Sequence, residues 1–588
     1  MAKHWQFHPH DAELIERLER SAGIPSVVAQ LLVGRGVFDA AVAKQFLDGK
    51  LTDLRAPELL PGCSAAAERI ARAVRDKRRI TIYGDYDVDG MTGTSILYLC
   101  LRLLGADVGY FIPNRLEEGY GLNGDALRTL AARGTSLVIS VDCGIASVAE
   151  AQVARELGVE LIITDHHQLG EQLPEAAALV HPRLPGHHYP FDGLCGAGVA
   201  FKLAWALCQN ASESKKVTPA MREFLLTAIS LAALGTVADV VPLVDENRLI
   251  VKHGLRRLHD APPLGIQKLL QITKLDQKPS LSSEDIAFMI APRLNAAGRL
   301  GQAQLGVELL VTHDPERAEA LAEYIHELNE NRSSLERKSM LGANKQIKER
   351  FDAENDPAFV LASHEWHPGV IGIVAGRLAE KYSRPVVMIA LDKLGVKPGQ
   401  GSARSGGVLR LHEALRACDE HLEAHGGHAA AAGLKIHDRH IDQFRSSFCE
   451  YVSSELAAED FVATVRIDAE AALTQLTLRT VQQIEQLAPF GHANPRPVLC
   501  ATGVTLSGKP RKMGSGERHL SLKISQHGLS LRAVAFGQAE WADELENLAG
   551  PMDIAYRPVI NEFRGQRNVE VQIADWRPSQ QPSVPEVC

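Results

Sequence analysis

Residues 79–90 read RITIYGDYDVDG. The run Ile80–Tyr83 predicts a buried strand, Gly84 predicts a turn, and a helical pattern resumes at residues 92–106 (TGTSILYLCLRLLGA). Between strand and helix stand Asp85, Asp87 and Asp89 at alternate positions. Carboxylates this close repel one another, and a cation is what relieves them.

The same unit recurs on either side. Helical stretches at 65–77, 92–106, 123–134 and 147–158 alternate with apolar runs at 79–84, 108–113, 137–142 and 160–165. Such alternation predicts a parallel sheet covered on both faces, a doubly wound α/β unit. Two further runs end in chemistry: one in Asp142, the other in Asp165, His166 and His167. Ligands of open parallel sheets sit beyond the carboxyl ends of the strands, so these loops are expected to converge. Asp239 closes an apolar stretch, 224–244, where an unpaired charge is costly. That stretch also holds Thr227, Ser230 and Pro242, and it reads as a buried helix entering a loop rather than a membrane span.

Hard oxygen donors suit Mg2+ or Mn2+, and added imidazole shifts preference toward Mn2+. An EF-hand is excluded: no bidentate glutamate follows at the required offset, and the flanks are strand then helix. Two such ions clamp a phosphate and ready a hydroxide for in-line attack, so phosphoester hydrolysis is the expected chemistry.

The remainder of the chain sets the organisation. Its 588 residues, 45% apolar and 23% charged, suit three to four folded domains and exclude disorder or a disulfide-stapled miniprotein. Nine cysteines without a Cys-x-x-Cys pair, and an N-terminus (MAKHWQFHPHDAEL) without an apolar core, point to a reduced, cytoplasmic protein with no membrane partner. A net charge of −9 argues mildly against nucleic acid, but an acidic metal site and local basic surfaces can coexist. Residues 1–64 read as a helical accessory segment, 65–260 as the catalytic α/β domain and 261–352 as a helical connector ending in a long solvated helix. Residues 353–458 read as a second, smaller α/β domain, and 459–577 as short antiparallel strands around one helix, a barrel of OB-fold type. The Pro/Ser-rich tail 578–588 reads as disordered.

GDYDVDG, VISVDCG, TDHH and ALGTVADVVPL resemble the four motifs of the DHH phosphoesterase superfamily. PRLNAAGR, HPGVIGIVAGRL, GSARS and HGGHAAAAG resemble its connecting and substrate-binding regions. LAPFGHANPRP with the barrel is similar to the C-terminal part of its single-strand-specific DNA exonucleases. The resemblance spans about residues 65–576 and implies a 5′-to-3′ exonuclease on single-stranded DNA that releases 5′-mononucleotides, in recombination and repair, with two Mn2+ or Mg2+ ions. It further implies that Asp87 and Asp89 each take one metal, that Asp142 bridges, and that His166 and Asp239 complete the second site. His167 would approach the scissile phosphate or leaving oxygen, and Asp165 would orient the adjacent imidazole. Some relatives carry histidine where this chain has Tyr83, so the first metal is expected to lean on Asp85 or water. Arg404, His425 and His428, with Ser402, Gly426 and Gly427, are implied contacts to the 5′-terminal phosphate; Arg293, Asn295, Arg299 and His367 would line the channel. In the barrel, Lys509, Arg511, Lys512, Arg518 and Lys523 are candidate strand contacts, and Phe536, Trp541 and Phe563 candidate stacking residues. A single-strand-binding protein and a helicase are candidate partners, and a monomer is the expected state.

Two rival readings share the fold: an enzyme for short oligonucleotides, cyclic dinucleotides or pyrophosphate, and a non-catalytic DNA-binding scaffold. The basic barrel speaks against the first. The intact set Asp87, Asp89, Asp142, His166 and Asp239 speaks against the second.

Overall fold

The computed structural model describes residues 3–114, 121–212, 216–407, 409–563 and 565–579. The strand Ile80–Tyr83 lies inside a five-stranded sheet. Its order is Val108–Phe111, Ile80–Tyr83, Leu137–Val141, Glu160–Thr164, Ala178–Val180, and every neighbouring pair is parallel. All residues of Ile80–Tyr83 are buried. Side chains such as Ile70, Leu97 and Leu231 cover one face of the sheet, and Leu127, Leu130 and Ala151 cover the other. Burial on both faces explains why the strands read as continuous apolar runs. From Ile80–Tyr83 the chain moves to one side of the sheet, then returns to the other. That switch point is where Asp85–Asp89 and Asp142 leave the sheet.

Pro219–Ala238 is long and apolar enough to cross a membrane, yet Ala228–Val237 is buried against the helices Val88–Leu103, Gly196–Ala211 and Asp245–Asp260. It is a core helix that ends on Asp239. The connector helix runs from Pro315 to Arg350, about 54 Å at 1.5 Å per residue. It is less solvated than its charge suggests: Leu321 and Ile325 pack into the first unit, whereas Ala343 and Ile347 pack into the second.

The second unit holds a sheet ordered Ala424–Gly427, Ala431–Ile436, Gly399–Arg404, Val386–Ala390, Phe359–Ser363, and only the last pair is parallel. The C-terminal strands close into a barrel through the additional pairing of Leu499–Leu506 with His519–Gln526. Two pairs of that sheet, Leu529–Ala535 with Gln566–Pro578 and Ala469–Glu470 with Leu499–Leu506, are parallel rather than antiparallel as expected. The strand Thr464–Ile467, inside the stretch expected to form the barrel, pairs outside it, in parallel, with His4–Phe7.

That N-terminal strand was not expected. The helices Ala12–Ala22, Ser26–Val33 and Ala40–Asp48 form as read, but Leu18, Val28 and Leu32 pack into the barrel core beside Val481 and Tyr556. Trp5 donates its indole N–H to Asp575 Oδ2 at 2.7 Å. Of the C-terminal tail, residues 580–588 lie outside the described residues.

Arg248, 3% exposed, locks the first unit to the segment entering the barrel: its guanidinium donates to the carbonyls of Phe46 (3.0 Å), Leu487 (2.6 Å) and Gln486 (2.9 Å). At roughly 1–3 kcal/mol per buried group left unpaired, Arg248→Met is expected to cost about 3 kcal/mol or more. Thermal unfolding reads this directly, and an unchanged Tm would refute the locking role.

Candidate metal centre

Asp87 is the N-cap of the helix Val88–Leu103, accepting N–H donations from Asp89 (2.9 Å) and Gly90 (3.2 Å) on Oδ1. This cap starts the helix at Val88 rather than Thr92 and places Asp89 in its first turn, not in a loop. Asp89 is also held from across the sheet. Gly196 N–H donates to its Oδ2 at 2.6 Å and Ala197 N–H to its Oδ1 at 2.9 Å, both from the N-terminus of Gly196–Ala211, where a negative charge is favoured. Space there is minimal: a Cβ on Gly235 would lie 2.5 Å from Asp89 Oδ1.

Asp142 leaves its strand with φ +63°, and Val240, directly after Asp239, has φ +58°. Left-handed backbone is unfavourable for both residues, most of all for β-branched valine, and such strain persists only where the surroundings impose it. Asp165 is 1% exposed and accepts from His166 N–H (2.7 Å), His167 N–H (3.1 Å) and Ile145 N–H (2.9 Å). Its Oδ1 also lies 2.8 Å from His167 Nδ1, so it is His167 that Asp165 orients.

These loops meet. His166 Nε2 lies 3.1 Å from Asp142 Oδ1, 3.5 Å from Asp239 Oδ2 and 3.8 Å from Asp89 Oδ2. Three overlapping groups could hold a cation, each with its ligand atoms within 4.8 Å of one another: Asp85–Asp87–Asp142, Asp89–His166–Asp239 and Asp142–His166–His167. Asp142 belongs to two of them.

Burial and like charge act together on the carboxyls. Burial, with Asp87 nearby, pushes Asp85 up to about 8; burial, with Asp89 and Asp87 nearby, pushes Asp239 up to about 9. Asp87 and Asp142 move upward for the same two reasons. Burial holds His166 down to about 4, which keeps it a neutral donor. Asp165 and His167 move the other way. Burial alone would raise Asp165 and lower His167, but their mutual hydrogen bond prevails, taking Asp165 down to about 2 and His167 above the ordinary imidazole value.

The donor set fits a divalent ion. Asp85 Oδ1, His166 Nε2 and Asp239 Oδ2 are buried and make no hydrogen bond, a state that is costly unless a cation takes them up. Carboxylates with one imidazole match Mg2+ and, better, Mn2+. Tyr83, standing where some relatives have histidine, turns its hydroxyl to the Gly121 carbonyl at 3.1 Å, while Asp85 joins the cluster.

The channel residues divide. Asn295 accepts the Val88 N–H at 3.2 Å, steadying the acidic turn, and Gly298 packs so closely that a Cβ would lie 2.1 Å from the Tyr86 carbonyl oxygen. Arg299 donates to the Gly369 carbonyl at 3.1 Å. His367, half-buried, caps the helix Pro368–Tyr382, accepting the Gly369 N–H at 3.0 Å. Arg293 does not line an open surface: it is 8% exposed and folds back to the carbonyl of Met289, a residue of the π-turn Ile286–Ile290.

In the second unit, Gly426 aligns with Gly433 and Gly433 with Ser402, so the two small-residue stretches are neighbours across three strands. Arg404 donates to Ser402 Oγ at 3.0 Å. His428 is exposed, whereas His425 Nε2 already pairs with Asp419 at 3.1 Å. In the barrel, Arg511, Lys512, Arg518 and Lys523 are exposed, but Lys509 is bound by Glu546. Phe536 is 54% exposed with its ring against His519, Trp541 is half-buried in the core, and the Phe563 side chain lies outside the described residues.

Two residues escaped the sequence reading. Fully buried His181 lies with Nε2 2.8 Å from the His167 carbonyl oxygen, its Nδ1 accepts the Arg183 N–H at 3.0 Å, and the Arg183 side chain donates to the His166 carbonyl. They follow Ala178–Val180, so the strand-end rule extended by one strand would have found them.

Comparison with known proteins agrees with this geometry. Family profiles match as the DHH family, N-terminal domain, over residues 79–229, the DHHA1 domain over 355–454 and the RecJ OB domain over 467–575. The chain is 37% identical over 572 residues to the single-stranded-DNA-specific exonuclease RecJ of Bacillus subtilis, covering 97% of this chain and 70% of that one. It superposes on crystalline RecJ from Thermus thermophilus in complex with Mn2+ at a TM-score of 0.82, with 31% identity, covering 98% of this chain and 80% of that one. For the Mg2+ complex of RecJ from the same organism the TM-score is 0.76 with 30% identity, covering 98% and 79%.

A pH signature follows from the raised carboxyls. Without metal, folded Asp85 and Asp239 keep their protons up to about 8 and about 9, whereas an unfolded aspartate loses its proton near ~4. The metal-free protein should therefore lose stability as pH rises from about 4 to about 9. Mn2+, which needs these groups ionised, should restore it with release of protons. Thermal unfolding with Mn2+ or chelator should show a gap in Tm that widens with pH; a gap constant over that window would contradict the assignment.

Proposed function

The chain belongs to the RecJ family of single-stranded-DNA-specific exonucleases, and on that premise we propose that it cleaves DNA in a 5′-to-3′ direction, releasing 5′-mononucleotides, at the pocket formed by Asp85, Asp87, Asp89, Asp142, His166 and Asp239. The observation that carries this reading is the gathering of these donors, three with buried atoms that make no hydrogen bond, at one switch point of the sheet. Mn2+ or Mg2+, two per site, would supply charge neutralisation on the phosphate and an acidified water.

The chain's own residues divide the remaining work. Asp85 and Asp87 would hold one ion and Asp89, His166 and Asp239 the other, with Asp142, which groups with Asp85 and Asp87 and lies 3.1 Å from His166, shared between them. Gly196 and Ala197 hold Asp89 with backbone N–H groups, so its oxygens are fixed before substrate arrives. His167, raised toward its protonated form by Asp165, meets the charge that develops on the phosphate or leaving oxygen. Ser402, Arg404 and the exposed Gly426–His428 edge take the 5′-terminal phosphate; Arg299 borders the path between the two α/β units. Beyond it, Arg511, Lys512, Arg518 and Lys523 draw the strand onto the barrel.

The protein acts on single-stranded DNA. We propose a cytoplasmic monomer cooperating with a helicase and a single-strand-binding protein, which would deliver and vacate such strands. An enzyme for short oligonucleotides has no use for a barrel carrying exposed cations.

End-labelled single-stranded and duplex DNA, incubated with Mn2+ or Mg2+, test the proposal. Single strands should disappear from the 5′ end as mononucleotides while blunt duplex persists. Asp142→Ala should lower the rate by at least about a thousandfold, the scale of losing a group that acts as part of a unit, and still bind the strand. Degradation from the 3′ end, or equal loss of duplex, would defeat it.

A further inference from the structure

One cavity adjoining the metal centre has no part in the functions assigned above. It measures about 410 Å³, and its walls include Val237 and Val240 on either side of Asp239, Asn295 of the acidic-turn brace, Ile373 of the second unit and His492 ahead of the barrel. The three parts of the enzyme therefore meet around it, beside the helix end that carries Asp239. Its size lies within the roughly 300–1,000 Å³ of ligand sites, and its lining is mainly apolar, with Ser283, Glu284, Asn295, Arg299, Arg332 and His492 among its polar members.

Two apolar residues line this cavity while remaining open to water: Phe288, 75% exposed, and Val240, 65% exposed. Singly exposed apolar residues are ordinary, but neither of these is ordinary in its backbone. Phe288 is the middle residue of the π-turn Ile286–Ile290, and Val240 holds φ +58°. The π-turn is tied to Arg293, whose guanidinium donates to the Met289 carbonyl. Such turns cluster at functional sites because they push one side chain out of helical register.

We infer that this cavity is a nucleobase subsite in which Phe288 stacks on an unpaired base of the strand being cut, making Phe288 a specificity-determining residue. The inference rests on the exonuclease reading above, which supplies the strand. A base in that position is withdrawn from any complement, so the subsite selects single strands at the metal centre itself, in addition to whatever the barrel prefers. Stacking is tolerant of base identity because every base offers a π-face, which suits an enzyme that must accept any sequence.

The test uses 5′-phosphorylated single strands with one abasic tetrahydrofuran residue placed at successive positions from the 5′ end, and compares the intact enzyme with Phe288→Ala and Phe288→Tyr. The intact enzyme should slow when the abasic residue reaches one particular position. In Phe288→Ala, KM for an ordinary strand should rise roughly five- to a hundredfold, the range for loss of one base–aromatic stack, with KM changing more than kcat. The abasic penalty should vanish in that variant and return in Phe288→Tyr, and the Mn2+-induced rise in Tm should be the same in all three. An abasic penalty of equal size in Phe288→Ala, or an unmoved KM, overturns the subsite while leaving the exonuclease reading intact. Failure of the intact enzyme to degrade any single strand overturns that reading and the subsite with it.

Discussion

Mutual repulsion among buried carboxylates is the constraint from which the rest follows. Asp85, Asp87, Asp89, Asp142 and Asp239 come from separate stretches of chain and are delivered to one pocket by the parallel sheet and the core helix Pro219–Ala238. No fold gathers such groups for stability, since burial and like charge both raise their proton affinity. The arrangement is sustainable because the scaffold around it is over-determined. A capped helix, the N-terminus of a second helix and two left-handed backbone positions hold these carboxylates in place before any ion arrives.

The electrostatics also sort the two neighbouring histidines into different tasks. His166 is surrounded by carboxylates yet kept neutral by burial, whereas His167, one residue on and far more open to solvent, is tied to a carboxylate of its own. Their carbonyls are in turn pinned by His181 and Arg183. One pair of adjacent residues thus presents a neutral ring on one side and a readily protonated ring on the other.

Much of the site could be read from the chain because its parts obey local rules. Strands buried on both faces announce themselves as apolar runs, and the strand-end position of Asp142 and Asp165–His167 is a matter of counting. What could not be read is what depends on partners distant in sequence. His4–Phe7 is a strand only because Thr464–Ile467 offers an edge, and the parallel pairing of Leu529–Ala535 with Gln566–Pro578 depends on how the sheet closes. Arg293 reads as a cation available to DNA until the π-turn beside it supplies a carbonyl to bind. Asp89 reads as a loop residue because the apolar periodicity begins later than the cap that starts its helix.

The N-terminal helices have a consequence for how the protein comes into being. Arg35 finds its hydrogen-bond partner Asn494 some 459 residues later, and Leu18, Val28 and Leu32 wait as long for the barrel that covers them. Translation is vectorial and early segments settle first. The nuclease units therefore emerge from the ribosome while the leading helices still expose their oily faces, which makes the start of the chain a natural client for chaperones. The α/β units are made before the barrel, whose strands then cover helices that precede them by hundreds of residues.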